Sequence, residues 1–353
     1  WFTEVHNLPP AAHTETPFDE SARQPLITRY LDRPGPGVAW HDLDRDGWDD
    51  LLLANGRGAL PTVLLNQAGA GFQRTTNAPF SRPLARDLTT VLGVKDALLA
   101  GSSNFEDGST NGGLIRIHDF TRRAAGEALP GPTFACGPLA VADIDGDGDL
   151  DLFVGGRAVA GRYPEPADSV LLRNEAGRFV PEQRWERLGL VSGAVFSDLD
   201  GDGTPELVLA AEWSPVRVFR RENGRFEERT EALGLASWKG WWNGVATGDF
   251  DGDGQLEIVA SNWGLNTPIR ASREHPRRLH YGDLDDNGTL DLVESRFDPV
   301  VGKEVPDLTL NWARAALPLL SHRVPDYTTY GLSSVVEIHG EALAHLPVLE
   351  VNT

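Results

Sequence analysis

Short apolar runs rich in β-branched residues alternate with acidic, glycine-bearing segments along most of this chain. Gly37-Val38-Ala39-Trp40-His41 leads into one acidic segment and Asp50-Leu51-Leu52-Leu53-Ala54 leads out of it. Thr62-Val63-Leu64-Leu65-Asn66 and Gly71-Phe72-Gln73-Arg74-Thr75 follow, separated by turn residues. Four short strands in about 40 residues form a meander, and repeated meanders predict the blades of a β-propeller. The same pattern returns at Leu139–Val180 and at Gly193–Glu228.

The acidic segments share one frame, D-x-D-x-[DN]-G-x-x-[DE]-[LI], which opens at Asp42, Asp143, Asp198, Asp249 and Asp283. Oxygens at positions 1, 3 and 5 of a tight loop converge, glycine at position 6 permits the sharp turn, position 7 offers a backbone carbonyl, and a terminal carboxylate closes the set. Such an inventory of hard oxygens suits Ca²⁺ better than Mg²⁺ or a transition metal. The predicted ligands of the first loop are Asp42, Asp44, Asp46, Trp48 and Asp50; of the second, Asp143, Asp145, Asp147, Asp149 and Asp151. The third offers Asp198, Asp200, Asp202, Thr204 and Glu206, and the fourth Asp249, Asp251, Asp253, Gln255 and Glu257. The fifth offers Asp283, Asp285, Asn287, Thr289 and Asp291. Glu294 falls at position 12 from Asp283, as in an EF-hand, but the flanks there read as strands and an EF-hand needs helices. Carboxylates crowded into nine residues repel one another unless a cation is present, so about five calcium ions are expected.

The loops open 101, 55, 51 and 34 residues apart. The doubled first interval predicts a blade without a metal loop, built from Asp87–Val94, a tip at Lys95-Asp96, Ala97–Gly101 and Leu114–His118, with Lys95 where the metal would sit. The short last interval predicts that the outer strand of the blade after Asp249 is missing or merged. Six units are visible in all. Residues 1–36, rich in Pro, His and Thr, read as an irregular lead-in with a closing strand at Trp1–His6; residues 37–298 carry the blades. In residues 299–353 apolar spacing predicts helices at Asn311–Leu320 and Leu332–Leu346, a short helical insertion, before Val348–Val351 begins a further blade. The fold class expected is all-β.

Net charge sharpens the picture by exclusion. The formal value is −20 over 353 residues, much of it in the loops, and such a surface disfavours nucleic acid and anionic membranes. No run reaches the ~20 apolar residues of a membrane span. The one cysteine, Cys136, excludes an internal disulfide framework and reads as a buried small residue. The chain begins at Trp1, with no signal peptide, which points to a processed form, a fragment or an edited sequence.

The loops with their strands, over residues 37–297, resemble the FG-GAP/VCBS repeat of integrin-α-like β-propellers. Gly35–Ala39, Phe153–Arg157 with Tyr163-Pro164, and Asn262–Asn266 look like the proteins that carry such repeats beside an ASPIC/UnbV module, the cartilage acidic protein type. The resemblance implies about seven blades, Ca²⁺ in the hairpin loops and an extracellular, cell-surface or periplasmic location. Six units and no ASPIC-like segment suggest a chain cut before its last blade or blades.

In such a propeller the segments before the first strand and after the second lie opposite the metal loops. There the chain places Arg157, Arg162 and Tyr163; Glu212 and Trp213; Trp238, Trp241 and Trp242; and Trp263. Exposed aromatics beside Arg and Asn suit sugar rings or peptide side chains, although aromatics also wedge between propeller blades. Arg157, Tyr163, Glu212, Trp213, Trp241, Trp242 and Trp263 are therefore the candidate ligand-binding residues, with Trp263 and one of Trp241 or Trp242 expected to share a pocket. His41 is a candidate to orient its neighbour Asp42. No catalytic constellation is legible: there is no H-E-x-x-H, no G-x-S-x-G and no phosphate loop. The expected function is a calcium-binding extracellular module that recognises a glycan or a protein, with no nucleic-acid partner and no membrane insertion. The alternative is a polysaccharide lyase or hydrolase that uses the aromatic face.

Overall fold

The structure is a computed structural model that describes residues 8–29, 31–33, 35–95, 97–107, 115–120, 122–129, 134–267 and 270–353. The strand expected at Trp1–His6, Asp96 of the loopless tip and Leu114 lie outside these residues. The described chain is mostly antiparallel β-structure in two compact units.

The first unit comprises Trp1–Phe18, Leu31–Ala160 and Ala167–Arg187. Its first sheet is the meander β1 (Val38–His41), β2 (Asp50–Leu53), β3 (Thr62–Asn66) and β4 (Phe72–Thr75), in that order. The second repeats it with β5 (Leu88–Val94), β6 (Ala97–Ser102), β7 (Ile115–Asp119) and β8 (Ala124–Leu129), so the unit expected without a metal loop is present as a four-stranded sheet. The third runs β9 (Ala135–Ala142), β10 (Asp151–Ala158), β11 (Ala167–Glu175) and β12 (Arg178–Ser197). Leu43, Leu52, Val63, Phe80, Val91 and Leu98 form one buried cluster, and Leu99, Ile115, Phe134, Cys136, Leu152, Val154 and Leu172 another. β1 and β5 approach so closely that a Cβ on Gly37 would lie 2.8 Å from the Thr90 Cα, which accounts for the glycine that opens the Gly-Val-Ala strand. Cys136 is 1% exposed, as expected, and burial pushes its thiol up to about 12.

The second unit comprises Asp19–Tyr30, Gly161–Pro166 and Leu188–Thr353. The chain enters it along β12, whose second half pairs with β13 (Glu206–Ser214) from Leu190↔Glu212 to Ser197↔Glu206. β14 (Arg217–Glu222) and β15 (Arg225–Glu228) complete that sheet. β13 is buried on both faces, which explains its unbroken run Leu207-Val208-Leu209-Ala210-Ala211. β16 (Gly240–Gly248) and β17 (Glu257–Asn262) pair with each other, and β16 also touches β13 at Glu212↔Trp241. The described residues add neither a third nor a fourth strand to this pair, where the short interval predicted one outer strand missing or merged.

The last sheet is ordered β20 (Lys303–Pro306), β19 (Asp291–Asp298), β18 (Arg277–Gly282), β21 (Val348–Val351). The final strand was expected to open another blade; instead it pairs with β18, Leu279↔Leu349, and so adds to an existing sheet. Between β20 and β21 the helical insertion is five short helices rather than two long ones: α1 (Leu310–Ala316), α2 (Leu320–Arg323), α3 (Tyr327–Leu332), α4 (Val335–His339) and α5 (Glu341–Ala344). Pro318 and Pro325 end α1 and α2 regions because proline cannot continue a helical ladder, and the Ser334/Glu337 capping box starts α4 afresh. Val335 and Leu343 pack on Val293 of β19.

Candidate metal centre

Each acidic loop joins the first and second strands of its sheet, and all five close in one way. The N–H of position 2 donates to the closing carboxylate: Leu43 to Asp50, Ile144 to Asp151, Leu199 to Glu206, Phe250 to Glu257 and Leu284 to Asp291, all at 2.8–2.9 Å. The position-6 glycine donates to the opening aspartate in every loop, at 2.7–3.0 Å. Position 7 donates to the side chain of position 5, at 2.7–2.9 Å. Gly47, Gly148, Gly203, Gly254 and Gly288 all sit at φ between +83° and +90°, where a side chain is strained; that is the physical need for glycine there. Position 4 is also left-handed, yet it tolerates Arg45 and Asp286 at φ 63° and 58°.

The fold brings acids 1, 3 and 9 together. Carboxylate oxygens of Asp42, Asp44 and Asp50 lie within 4.8 Å of one another, as do those of Asp143, Asp145 and Asp151, of Asp198, Asp200 and Glu206, and of Asp249, Asp251 and Glu257. The position-5 residues Asp46, Asp147, Asp202, Asp253 and Asn287 turn one oxygen onto the loop backbone. Trp48, Asp149, Thr204, Gln255 and Thr289 enter by their backbone N–H.

The donor set fits a hard cation. Glu206 is 5% exposed and its Oε1 is buried without a hydrogen-bond partner; Asp285 Oδ1 is likewise buried and unpartnered. Unpaired buried carboxylate oxygens cost free energy that a cation removes. The closing acids are held above the ordinary carboxylate range where they are buried. Burial first, then the neighbouring Asp285 and Asp283, pushes Asp291 up to about 6. Asp50 and Asp151 are raised by burial too, against two backbone N–H donors each.

Sequence reasoning missed the residues that support the closing acids. Asn66 N–H donates to Asp50 Oδ1 at 2.8 Å, and Asn174 N–H to Asp151 Oδ1 at 2.7 Å. Their side chains clamp the loop carbonyls of Asp49 and Leu150. The signal was legible: Asn66-Gln67-Ala68-Gly69 and Asn174-Glu175-Ala176-Gly177 end equivalent strands. In the third loop Arg220 from β14 pairs instead with Asp200 and with Asp202, the latter at 2.6 Å. At the tip between β5 and β6, Lys95 Nζ reaches Asp149 Oδ1 at 2.9 Å. His41 does not orient Asp42; its Nε2 bonds the Lys95 carbonyl at 2.7 Å. Outside the loops, Glu15, Asp87 and Glu106 also converge within 4.8 Å, and burial, then Asp87 and Glu15, pushes Glu106 up to about 7.

The expected ligand face is largely interior. Tyr163 is 0% exposed, Trp241 4%, Trp213 6% and Glu212 7%. They surround Arg29, whose guanidinium lies 4.2 Å from the Trp241 ring, 5.3 Å from Trp213 and from Trp263, and 3.4 Å from Glu212. Trp213 Nε1 donates to the Tyr163 hydroxyl at 2.7 Å, which donates to Glu212 at 3.2 Å. The Arg277 guanidinium lies 4.7 Å from the Trp241 ring and pairs with Glu294 and Asp307. The sequence hid this because Arg29 and Arg277 are far from the tryptophans in the chain. Only Trp263 of the seven candidates is exposed, at 45%, edge-on to Trp241 with centroids 5.6 Å apart. Trp242 is half-buried and lines a different groove, and Arg157 is half-buried in the first unit.

Residues 198–260, which begin at the third loop and end in β17 after the fourth, match the FG-GAP-like repeat family. No curated protein matches the chain. Among the described residues no helix is long and apolar enough to cross a membrane.

Proposed function

We propose that this chain is a calcium-stabilised β-propeller of FG-GAP type, whose sheets are the blades, and that it serves as an extracellular recognition module for a protein or a glycan. The observation that carries the reading is the loop closure: one glycine conformation and one hydrogen-bond set in all five loops, with acids 1, 3 and 9 gathered together in the first four. Calcium would be held by those acids together with position 5 and the position-7 carbonyl. It would supply the positive charge that the crowded carboxylates lack. The match over residues 198–260 supports the repeat type and, with it, the extracellular setting. The link to ASPIC/UnbV proteins rests on the three sequence segments alone. An enzyme reading would draw on Tyr163 beside Arg29, but Tyr163 is 0% exposed, out of reach of a polysaccharide.

Calorimetric titration of chelator-stripped protein with CaCl₂ tests the core of the proposal. About five equivalents are expected, one per loop. One or two equivalents would overturn it.

A further inference from the structure

The sheet β16–β17 stops two strands short of its neighbours, and an apolar groove is lined by residues of both its strands. Trp242 of β16 and Ile258 and Ala260 of β17 form one wall, and Val216 and Leu235 the other. The groove has a volume of about 500 Å³. Trp238, 48% exposed, stands at its mouth, and the Arg273 guanidinium lies 3.9 Å from the Trp238 ring.

Two features say what fits there. The first is the repeat's own register. In the third sheet the residues after the closing acid, Leu152, Phe153 and Val154, pair with Leu172, Leu171 and Val170 of β11. In the fourth sheet Leu207, Val208 and Leu209 pair with Phe219, Val218 and Arg217 of β14. The equivalent residues of β17 are Ile258, Val259 and Ala260, and among the described residues their outer edge pairs with nothing; Val259 is 51% exposed. An unpaired strand edge recognises another extended backbone, while side chains two residues apart enter the adjoining groove. The second feature is charge. Arg273 bonds the Ser237 hydroxyl at 3.2 Å and has no carboxylate partner among the described residues, in a chain of net charge −20.

We infer that β17 and its groove bind an extended peptide segment of a partner protein, which adds antiparallel to β17 as a third strand. Two apolar side chains at i and i+2 fill the groove, and an acidic residue pairs with Arg273. The inference rests on the recognition-module reading and names its partner class as a strand-forming, acidic-flanked peptide. Neither the calcium loops nor the buried Arg29 cluster takes part.

The probe is a fluorescein-labelled synthetic peptide with the sequence of residues 167–175, Ala-Asp-Ser-Val-Leu-Leu-Arg-Asn-Glu, which fills this place in the third sheet. Fluorescence anisotropy is measured on calcium-loaded protein, with hydrogen exchange of the β17 amides in parallel. Saturable binding with at least tenfold slower exchange at Ile258–Ala260 is expected. A peptide with proline in place of its central leucine should lose binding at least tenfold, because it can neither donate nor lie flat on the edge. Arg273→Glu, on the surface, should weaken the parent peptide severalfold and spare one whose aspartate is replaced by lysine. Ala260→Arg should block the groove. Absence of binding at millimolar peptide, equal binding of the proline peptide, or dimerisation of the chain through β17 in place of peptide binding would each overturn the inference. Calcium stoichiometry measured on the same sample separates this failure from failure of the calcium reading.

Discussion

The third and fourth acidic loops lie in one unit, fall within one family match, and share their backbone closure, yet their sheets differ. Behind the third loop stand four strands: β13 is buried along its length and Glu206 is 5% exposed. Behind the fourth stand two: β17 alternates half-buried and exposed residues, and Glu257 is half-buried. Phe250 beside the fourth loop is 60% exposed. The third loop also has a cation of its own, Arg220, which β14 carries to Asp200 and Asp202. The β16–β17 sheet has no third strand among the described residues to carry one. The loop conformation is thus local, written in glycines and aspartates, whereas the burial and charge balance of the site are set by the outer strands.

The comparison breaks first under chelation. Each site filled at a hundredfold excess over its Kd adds about 2.7 kcal/mol. Loss of even two such sites should lower the melting temperature by on the order of 10 °C or more. Differential scanning calorimetry in EDTA, with metal loss confirmed, checks this; an unchanged melt would show that the loops hold their form without metal. Hydrogen exchange in the same sample should show the fourth loop opening before the third.

Acid acts on both units through groups outside the loops. His118 is buried against Phe80, ring centroids 5.2 Å apart, and burial, then Arg116, pushes it down to about 4. Burial, then Arg323 and His280, pushes His339 down to about 4. A depressed histidine binds its proton more weakly folded than unfolded. Its contribution is therefore fully present above the unfolded value of 6.5 and is lost as pH falls from there towards 4. At pH 5 each should cost about 2 kcal/mol of stability. Urea melts from pH 7 to pH 5 check this, with and without calcium. His118→Gln and His339→Gln should flatten the profile in both states, which separates acid lability from calcium loss.

The smallest effect sharpens the comparison itself. Arg220→Gln removes one exposed positive charge beside Asp200 and Asp202. Calcium affinity of the third loop should rise severalfold, because the guanidinium no longer competes with the cation for the two carboxylates. The fourth loop should not respond. Asp251→Ala and Asp200→Ala, each removing a position-3 acid, identify the two sites in the titration. Equal shifts at both loops on Arg220→Gln would mean that the arginine acts through the net field rather than at its own site.

Features that depend on neighbours along the chain can be read from the residues alone. Period-2 apolar runs, left-handed glycines and aspartates at fixed spacing act over fewer than ten residues. The five loops, the loopless β5–β8 meander and the shortened β16–β17 sheet were therefore legible in advance. Tyr163, Glu212, Trp213 and Trp241 read equally well as an exposed aromatic face or as packing, because a strand shows its alternation but not which side the core lies on. Packing in space settles this, by bringing Arg29 and Arg277 against the same indole, Trp241. Likewise β21 joins β18 because edge pairing is chosen in space rather than by sequence order. The Arg220 contact and the open β17 groove exist for the same reason: they depend on which outer strands are present to cover a site.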